Sequence, residues 1–322
     1  MDLEKEEDGV CLMNLKDEIE NYIDDLTLKD ITKESYKQIL NRFYEYFKNK
    51  NINEPTRKDI IKYREYLFKS ELSSATIQKI IVVLRGFYRY LKVSNKSEEL
   101  TYLIKGARVE TIFKRQPLEV DEAKKLLRLA SKDTESFEGL RKYLIIALLL
   151  TTGLRGIEIH RANVEDIDLI GNTYVLWIQG KGRDGKNENV KLTNDIYKII
   201  TKYLNMREQK LLSKEKAPLF VKIMKDKTER RFNLDSIRRM IKQMFVEIGF
   251  DSRAYTMHSL RHSFGYLALS NGATLEETKT ALRHKNLSTT EIYSHMMERR
   301  KSNTNALVSG VLFKKQKKKK EN

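Results

Sequence analysis

Apolar side chains return every three or four positions through most of this chain, a spacing that predicts one helix after another. In SYKQILNRFYEYFK the residues Tyr36, Ile39, Leu40, Phe43 and Phe47 share a helical face, and RKDIIKYREYLFK and SATIQKIIVVLRGFYRYLK repeat the pattern. The first hundred residues thus read as a small all-helical unit. Its mixture of Tyr, Lys and Arg with apolar residues suits a bundle that packs one face and offers another to phosphates, although a plain helical bundle satisfies the same periodicity. Near Gly106 the pattern stops. The segment ARVETIFKRQP reads as a charged, extended connection ending in proline before a new helix near Val120.

Past that connection, VDEAKKLLRLA predicts a helix and GLRKYLIIALLLTTG a mostly buried one that ends at Gly153. NTYVLWIQ and NVKLT flank the glycine-rich KGRDGKNE, the pattern of a β-hairpin. Helical spacing returns over residues 234–248, 259–270 and 275–282, and Ser288 with Glu291 announces a last helix through a capping box. The expected fold is therefore mainly α with a small β-hairpin or sheet. Its expected divisions are an acidic extension (1–14), a helical unit (15–106), a linker (107–116), a second domain (117–301) and a tail (302–322) that is apolar and then lysine-rich.

Charge adds a partner to this picture. The chain of 322 residues carries a net charge of +17 although its first 30 residues carry −8, so the remainder holds +25. Such a surplus on a folded body points to a polyanion, nucleic acid first; a merely solvated basic surface or ribosome association is the plainer alternative. The longest apolar run, Tyr143 to Leu150, falls well short of the roughly 20 residues of a membrane helix. MDLEKEEDG does not resemble a signal peptide, so a soluble, cytoplasmic protein is expected. One cysteine, Cys11, excludes a disulfide framework and a cysteine-rich zinc site.

The glycines at 180, 182 and 185 match a dinucleotide fingerprint, and residues 180–186 nearly match a phosphate loop. Both motifs need a helix next, on whose N-terminus the phosphates rest, and NENVKLTND offers a strand instead. Nucleotide binding is thereby disfavoured, and neither a cofactor nor a metal is expected. Other residues carry the chemistry. His258 and Arg261 in HSLRH share a helical face, Arg155 in TTGLRGIEI lies three residues before Glu158, and LRHKNLSTTEIY sets His284 nine residues before Tyr293. Taken singly, each has a plainer reading: surface decoration, a structural ion pair, a core aromatic.

Together and in this order, Arg155, Lys181, His258, Arg261, His284 and Tyr293 resemble the tyrosine recombinases, or phage integrase family, especially its compact Xer-like members. HSLRHSFGYLAL and LRHKNLSTTEIYSH carry the resemblance most specifically and the lysine hairpin less so. The chain departs from the pattern at Arg283, where many relatives have glycine, and at Ser259, where an acidic residue is frequent. The resemblance implies a two-domain clamp on double-stranded DNA, with a SAM-like core-binding domain over 15–106 and a catalytic domain over 117–301.

It further implies a covalent 3′-phosphotyrosine on Tyr293. Arg155 and Arg261 would stabilise charge on the nonbridging phosphate oxygens, His258 would act as base and Lys181 as general acid, His284 would hydrogen-bond the phosphate, and Glu158 would orient Arg155. Because the covalent link conserves the bond energy, rejoining needs no cofactor. The expected assembly is a homo-tetramer on two DNA sites, with the segment containing Leu307, Val308, Val311, Leu312 and Phe313 docked in trans, or else folded back on its own domain. The purpose would be dimer resolution or mobile-element integration and excision. Rival readings are a type IB topoisomerase-like enzyme and a DNA-binding regulator on a dead catalytic fold; the presence of all six side chains argues against the second.

Overall fold

A computed structural model describes residues 12–109, 116–180, 185–207, 217–226, 228–251, 253–284 and Ser309. The chain forms two compact units, Met1–Ile112 and Phe113–Asn322. It is mainly helical with two small sheets, as the periodicity predicts. Among the described residues, no helix is long and apolar enough to cross a membrane.

The first unit contains α1 (Leu12–Asp25), α2 (Asp30–Lys48), α3 (Arg57–Lys69) and α4 (Ser74–Val93). The apolar stripes read from the sequence meet in one core: Leu40, Phe43 and Phe47 of α2 pack with Ile60, Tyr63 and Leu67 of α3 and with the buried face of α4. Phe43 meets Phe47, Tyr63 and Tyr88 edge-on, the arrangement that aromatic quadrupoles favour. Thr56 and Asp59 form a capping box at the start of α3, and the Ser73 hydroxyl accepts the Thr76 amide at the start of α4. Helix starts are thus held by side chains that satisfy otherwise orphan backbone donors.

The second unit is built around α6 (Phe137–Thr152), which is preceded by α5 (Val120–Ala130). Residues 144–150 of α6 are buried on every side, because α5, α8 (Asn194–Arg207) and α10 (Met257–Ser270) all pack on it. This explains an apolar run without a polar stripe. After α6 come the short α7 (Gly156–Arg161) and a three-stranded antiparallel sheet of β1 (Ile167–Ile170), β2 (Thr173–Ile178) and β3 (Glu188–Leu192), in that order. β4 (Val221–Ile223) and β5 (Glu229–Arg231) form a two-stranded sheet, followed by α9 (Leu234–Glu247), α10 and α11 (Leu275–Leu282).

The expected hairpin is present as β2 and β3, with Ile178 opposite Glu188, and β1 extends it by an edge strand. Only four residues long and mostly exposed, β1 has too little alternation to be read from the sequence. α7 is likewise too short to display a helical period. The expected capping box at 288–291 and the tail apart from Ser309 lie outside the described residues, as do residues 110–115 of the expected linker.

Candidate functional site

Four chain segments meet at the site, and each arrives there for a local reason. The first is the end of α6. Gly153 adopts left-handed backbone (φ +60°) as its C-cap, and a Cβ at this position would stand 2.6 Å from Phe264 and 2.9 Å from Leu282. Glycine therefore serves both the turn and the close approach of α10 and α11. Two residues later Arg155 takes the N-cap of α7. A Cβ on Gly156 would run into the methyl group of Met257, so the start of α7 lies directly against the start of α10.

The second segment is α7 itself. Glu158 stands at its third position and is 1% exposed. Its Oε2 accepts the Arg155 amide at 2.7 Å and its Oε1 accepts Arg155 Nη1 at 2.8 Å. The carboxylate thus holds both the backbone and the guanidinium of Arg155, which is the orienting role that the spacing suggests. The Arg155 side chain keeps 28% of its surface exposed.

α10 supplies the third. Thr256 caps the helix, and Ser259 Oγ accepts the Thr256 amide at 3.1 Å to close a capping box. That is the structural meaning of the serine found where an acidic residue is frequent: the position is the helix's third, and a buried hydroxyl fills it. His258 lies exposed in the first turn, with its ring centroid 4.5 Å from that of buried His262. One turn on, Arg261 is 2% exposed. It donates through Nη1 to the Gly153 carbonyl at 2.5 Å and through Nη2 to the Leu282 carbonyl. A guanidinium between the C-terminal carbonyls of α6 and α11 satisfies their orphan acceptors and sits at the negative ends of both helix dipoles.

The fourth segment is the end of α11. Arg283 is its C-cap in left-handed backbone (φ +55°, ψ +46°), and the His284 amide donates back to the Lys279 carbonyl at 3.1 Å. This turn delivers His284 to the cluster. Burial, then the charges of Arg261, Arg155, His258 and Arg283, pushes its pKa down to about 4. His284 is therefore neutral near pH 7 and can offer a hydrogen bond without adding charge. Arg155 and Arg283 share the buried Glu158 carboxylate while Arg261 meets only carbonyls among its partners named above, leaving a surplus of positive charge suited to an anion.

Four of the six expected site residues, Arg155, His258, Arg261 and His284, are thus brought together from residues as far apart as 155 and 284. Lys181 and Tyr293 lie outside the described residues. On the approach to β3, Lys186 Nζ meets Asp166 at 2.6 Å, and Asp166 accepts the Asn163 amide at 2.6 Å. Sequence reading missed this contact. It also missed the part played by Arg283, whose one visible signal was an arginine at a position where glycine is expected. His160 lies elsewhere on α7, its Nδ1 3.1 Å from the Phe232 carbonyl.

Comparison with known proteins gives a consistent picture. Residues 116–300 match the phage integrase family, and residues 19–95 match the phage integrase N-terminal SAM-like domain. The chain is 29% identical over 283 residues to the tyrosine recombinase XerD of Oceanobacillus iheyensis, covering 85% of this chain and 90% of that protein. It is 29% identical over 232 residues to the tyrosine recombinase XerC of Alcanivorax borkumensis, covering 71% and 72% respectively. Its fold is similar to that of the XerH site-specific recombinase in a pre-cleavage complex with difH substrate, with a TM-score of 0.71 at 20% identity, over 94% of this chain and 99% of that one.

Proposed function

Since the chain belongs to the phage integrase family and is a site-specific DNA recombinase of the tyrosine type, we propose that the cluster around Arg155 and Arg261 is the site of strand cleavage and that Tyr293 is its nucleophile. The observation that carries this reading is the convergence of Arg155, His258, Arg261 and His284, with Glu158 buried behind Arg155. A phosphodiester is already an anion, and displacement at phosphorus concentrates more negative charge on its nonbridging oxygens. A fixed cluster of guanidiniums stabilises that charge without reorganising.

In the proposed step the Tyr293 oxygen attacks phosphorus and forms the 3′-phosphotyrosyl bond as the bond to the 5′ oxygen breaks. The phenol, with an ordinary pKa of about 10, passes its proton to His258, and Lys181 supplies one to the departing 5′ oxygen. Arg155, the more exposed of the two arginines, meets the phosphate with its outward face, whereas Arg261 contributes its charge from within the fold. His284 donates a neutral hydrogen bond. Attack by a different 5′-hydroxyl reverses the chemistry and rejoins the strands.

We assign residues 15–106 as the core-binding domain and 117–301 as the catalytic domain of a clamp on double-stranded DNA. In the first unit, Gln38 and Arg42 of α2 and Thr76 and Lys79 of α4 line one shallow groove, which is the face we propose for phosphate contact. The working assembly is a cytoplasmic tetramer on two recombination sites, its C-terminal segment docked on the neighbouring subunit. A heterologous contact of this kind closes into a ring.

A nicked suicide substrate tests the central step. In the presence of EDTA it should trap the protein covalently on a 3′ end, and Tyr293→Phe should bind the same DNA and trap nothing. Adduct formation by Tyr293→Phe would overturn the assignment.

A further inference from the structure

Arg283 occupies a conformation that costs an arginine something. Among the described residues, only Asn51, Asn95, Leu103 and Arg283 combine a side chain with left-handed φ, and asparagine tolerates that region far better than arginine. Glycine at the end of α11 would form the same turn without the steric penalty. The Arg283 side chain is also 8% exposed, and its Nε is buried with no hydrogen-bond partner. Strain and incomplete solvation together ask what the guanidinium is for.

Its contacts answer. Arg283 Nη2 donates to Glu158 Oε2 at 2.8 Å, and Nη1 donates to the Ala281 carbonyl at 2.9 Å. The other Glu158 oxygen holds Arg155 Nη1, and the Arg283 carbonyl accepts Arg155 Nη2 at 3.4 Å. One residue therefore reaches Arg155 twice, through a shared carboxylate and through its own backbone.

We propose that Arg283 is a positioning residue for Arg155: it locks the Glu158 carboxylate that aims the Arg155 guanidinium and ties the turn that presents His284 to the start of α7. Glu158 Oε2 already accepts the Arg155 amide, which fixes that end of the carboxylate to the backbone but leaves it a single uncharged donor there. With Arg283 Nη2 as a second, charged donor on that same oxygen, the carboxylate that presents Oε1 to Arg155 Nη1 becomes a fixed strut, and pre-organised donors are the ones that favour a transition state over a bound ground state. This deepens the strand-cleavage reading and rests on it.

The test is a comparison of Arg283→Gly and Arg283→Lys with the natural chain. Arg283→Gly relieves the backbone strain but removes the clamp; Arg283→Lys keeps the strain and restores one charged donor toward Glu158. Positioning predicts that, well below the melting temperature of every variant, single-turnover cleavage is fastest for Arg, intermediate for Lys and about tenfold slower for Gly, with DNA affinity little changed. A merely structural staple would lower the melting temperature and leave cleavage by the folded protein at the natural rate. Nitrogen-15 NMR of the Arg155 side chain reads the same point without DNA: hindered guanidinium rotation in the natural chain, averaged in Arg283→Gly and partly restored in Arg283→Lys. Full cleavage by Arg283→Gly, or an unaltered Arg155 spectrum, would overturn the proposal. Absence of cleavage by the natural chain, with the NMR order as expected, would instead count against the strand-cleavage reading.

Discussion

Lowering the pH forces a proton onto a group that the folded site holds neutral. An ordinary histidine titrates near 6.5, whereas burial, followed by the charges of Arg261, Arg155, His258 and Arg283, holds His284 at about 4. Between those values the unfolded chain binds a proton that the folded chain refuses. Stability attributable to His284 is therefore intact above pH 6.5 and falls as the pH drops toward 4. For these two pKa values, linkage gives a loss of about 2 kcal/mol at pH 5 relative to pH 7, which solvent at the ring's partly exposed edge trims toward about 1 kcal/mol. Urea unfolding at both pH values reads the loss, and His284→Gln, which cannot titrate, should lose less by that amount. Histidine ring resonances followed by NMR give the same answer directly. Adding inorganic sulfate, a divalent stand-in for the phosphate, should move the His284 midpoint upward, because an anion among the guanidiniums offsets their repulsion of a proton. A His284 midpoint at 6.5 or above in the free protein, or equal loss of stability by the natural chain and His284→Gln on acidification, would refute this origin of the pH dependence.

Other outcomes follow from the same physical picture. Lys181→Ala should slow cleavage of an ordinary substrate sharply, and a substrate with a 5′-thiolate leaving group, which needs no proton, should recover most of the loss; equal slowing of both would leave Lys181 a binding role only. Gly153→Ala should destabilise the catalytic unit by about 2–4 kcal/mol in urea titrations, since it adds a Cβ in left-handed backbone 2.6 Å from the Phe264 ring. Deleting residues 303–322 should preserve single-site binding while abolishing paired-site complexes and recombination in gel-shift and strand-exchange assays. Paired-site complexes that survive at moderate salt would reduce the tail to a salt-sensitive DNA tether.

Local pattern reached far into this fold. The helices α2, α3, α4, α5, α6, α9, α10 and α11 were legible because each carries an apolar stripe or run long enough to display its period, with capping residues at several of their starts. Elements of three to six residues, such as β1, β4, β5 and α7, were not legible, since so short a segment does not complete enough repeats to distinguish one period from another. The expected site residues could be named from the sequence only through the resemblance of their motifs to a family, since a motif survives as a linear string, and Arg155, His258, Arg261 and His284 are the four of them that lie among the described residues. Their mutual arrangement was not legible there. Arg261 meets Gly153 across 108 residues, Arg283 meets Glu158 across 125, and Arg155 meets the Arg283 carbonyl across 128. Arg283 shows the difference most clearly: in the sequence it is a departure from glycine, and in the folded chain its strained backbone aims a guanidinium at a buried carboxylate. Side-chain type and local periodicity are properties of neighbouring residues and stand in the sequence, whereas a carboxylate shared by two arginines exists only once packing has brought the end of α11 against the start of α7.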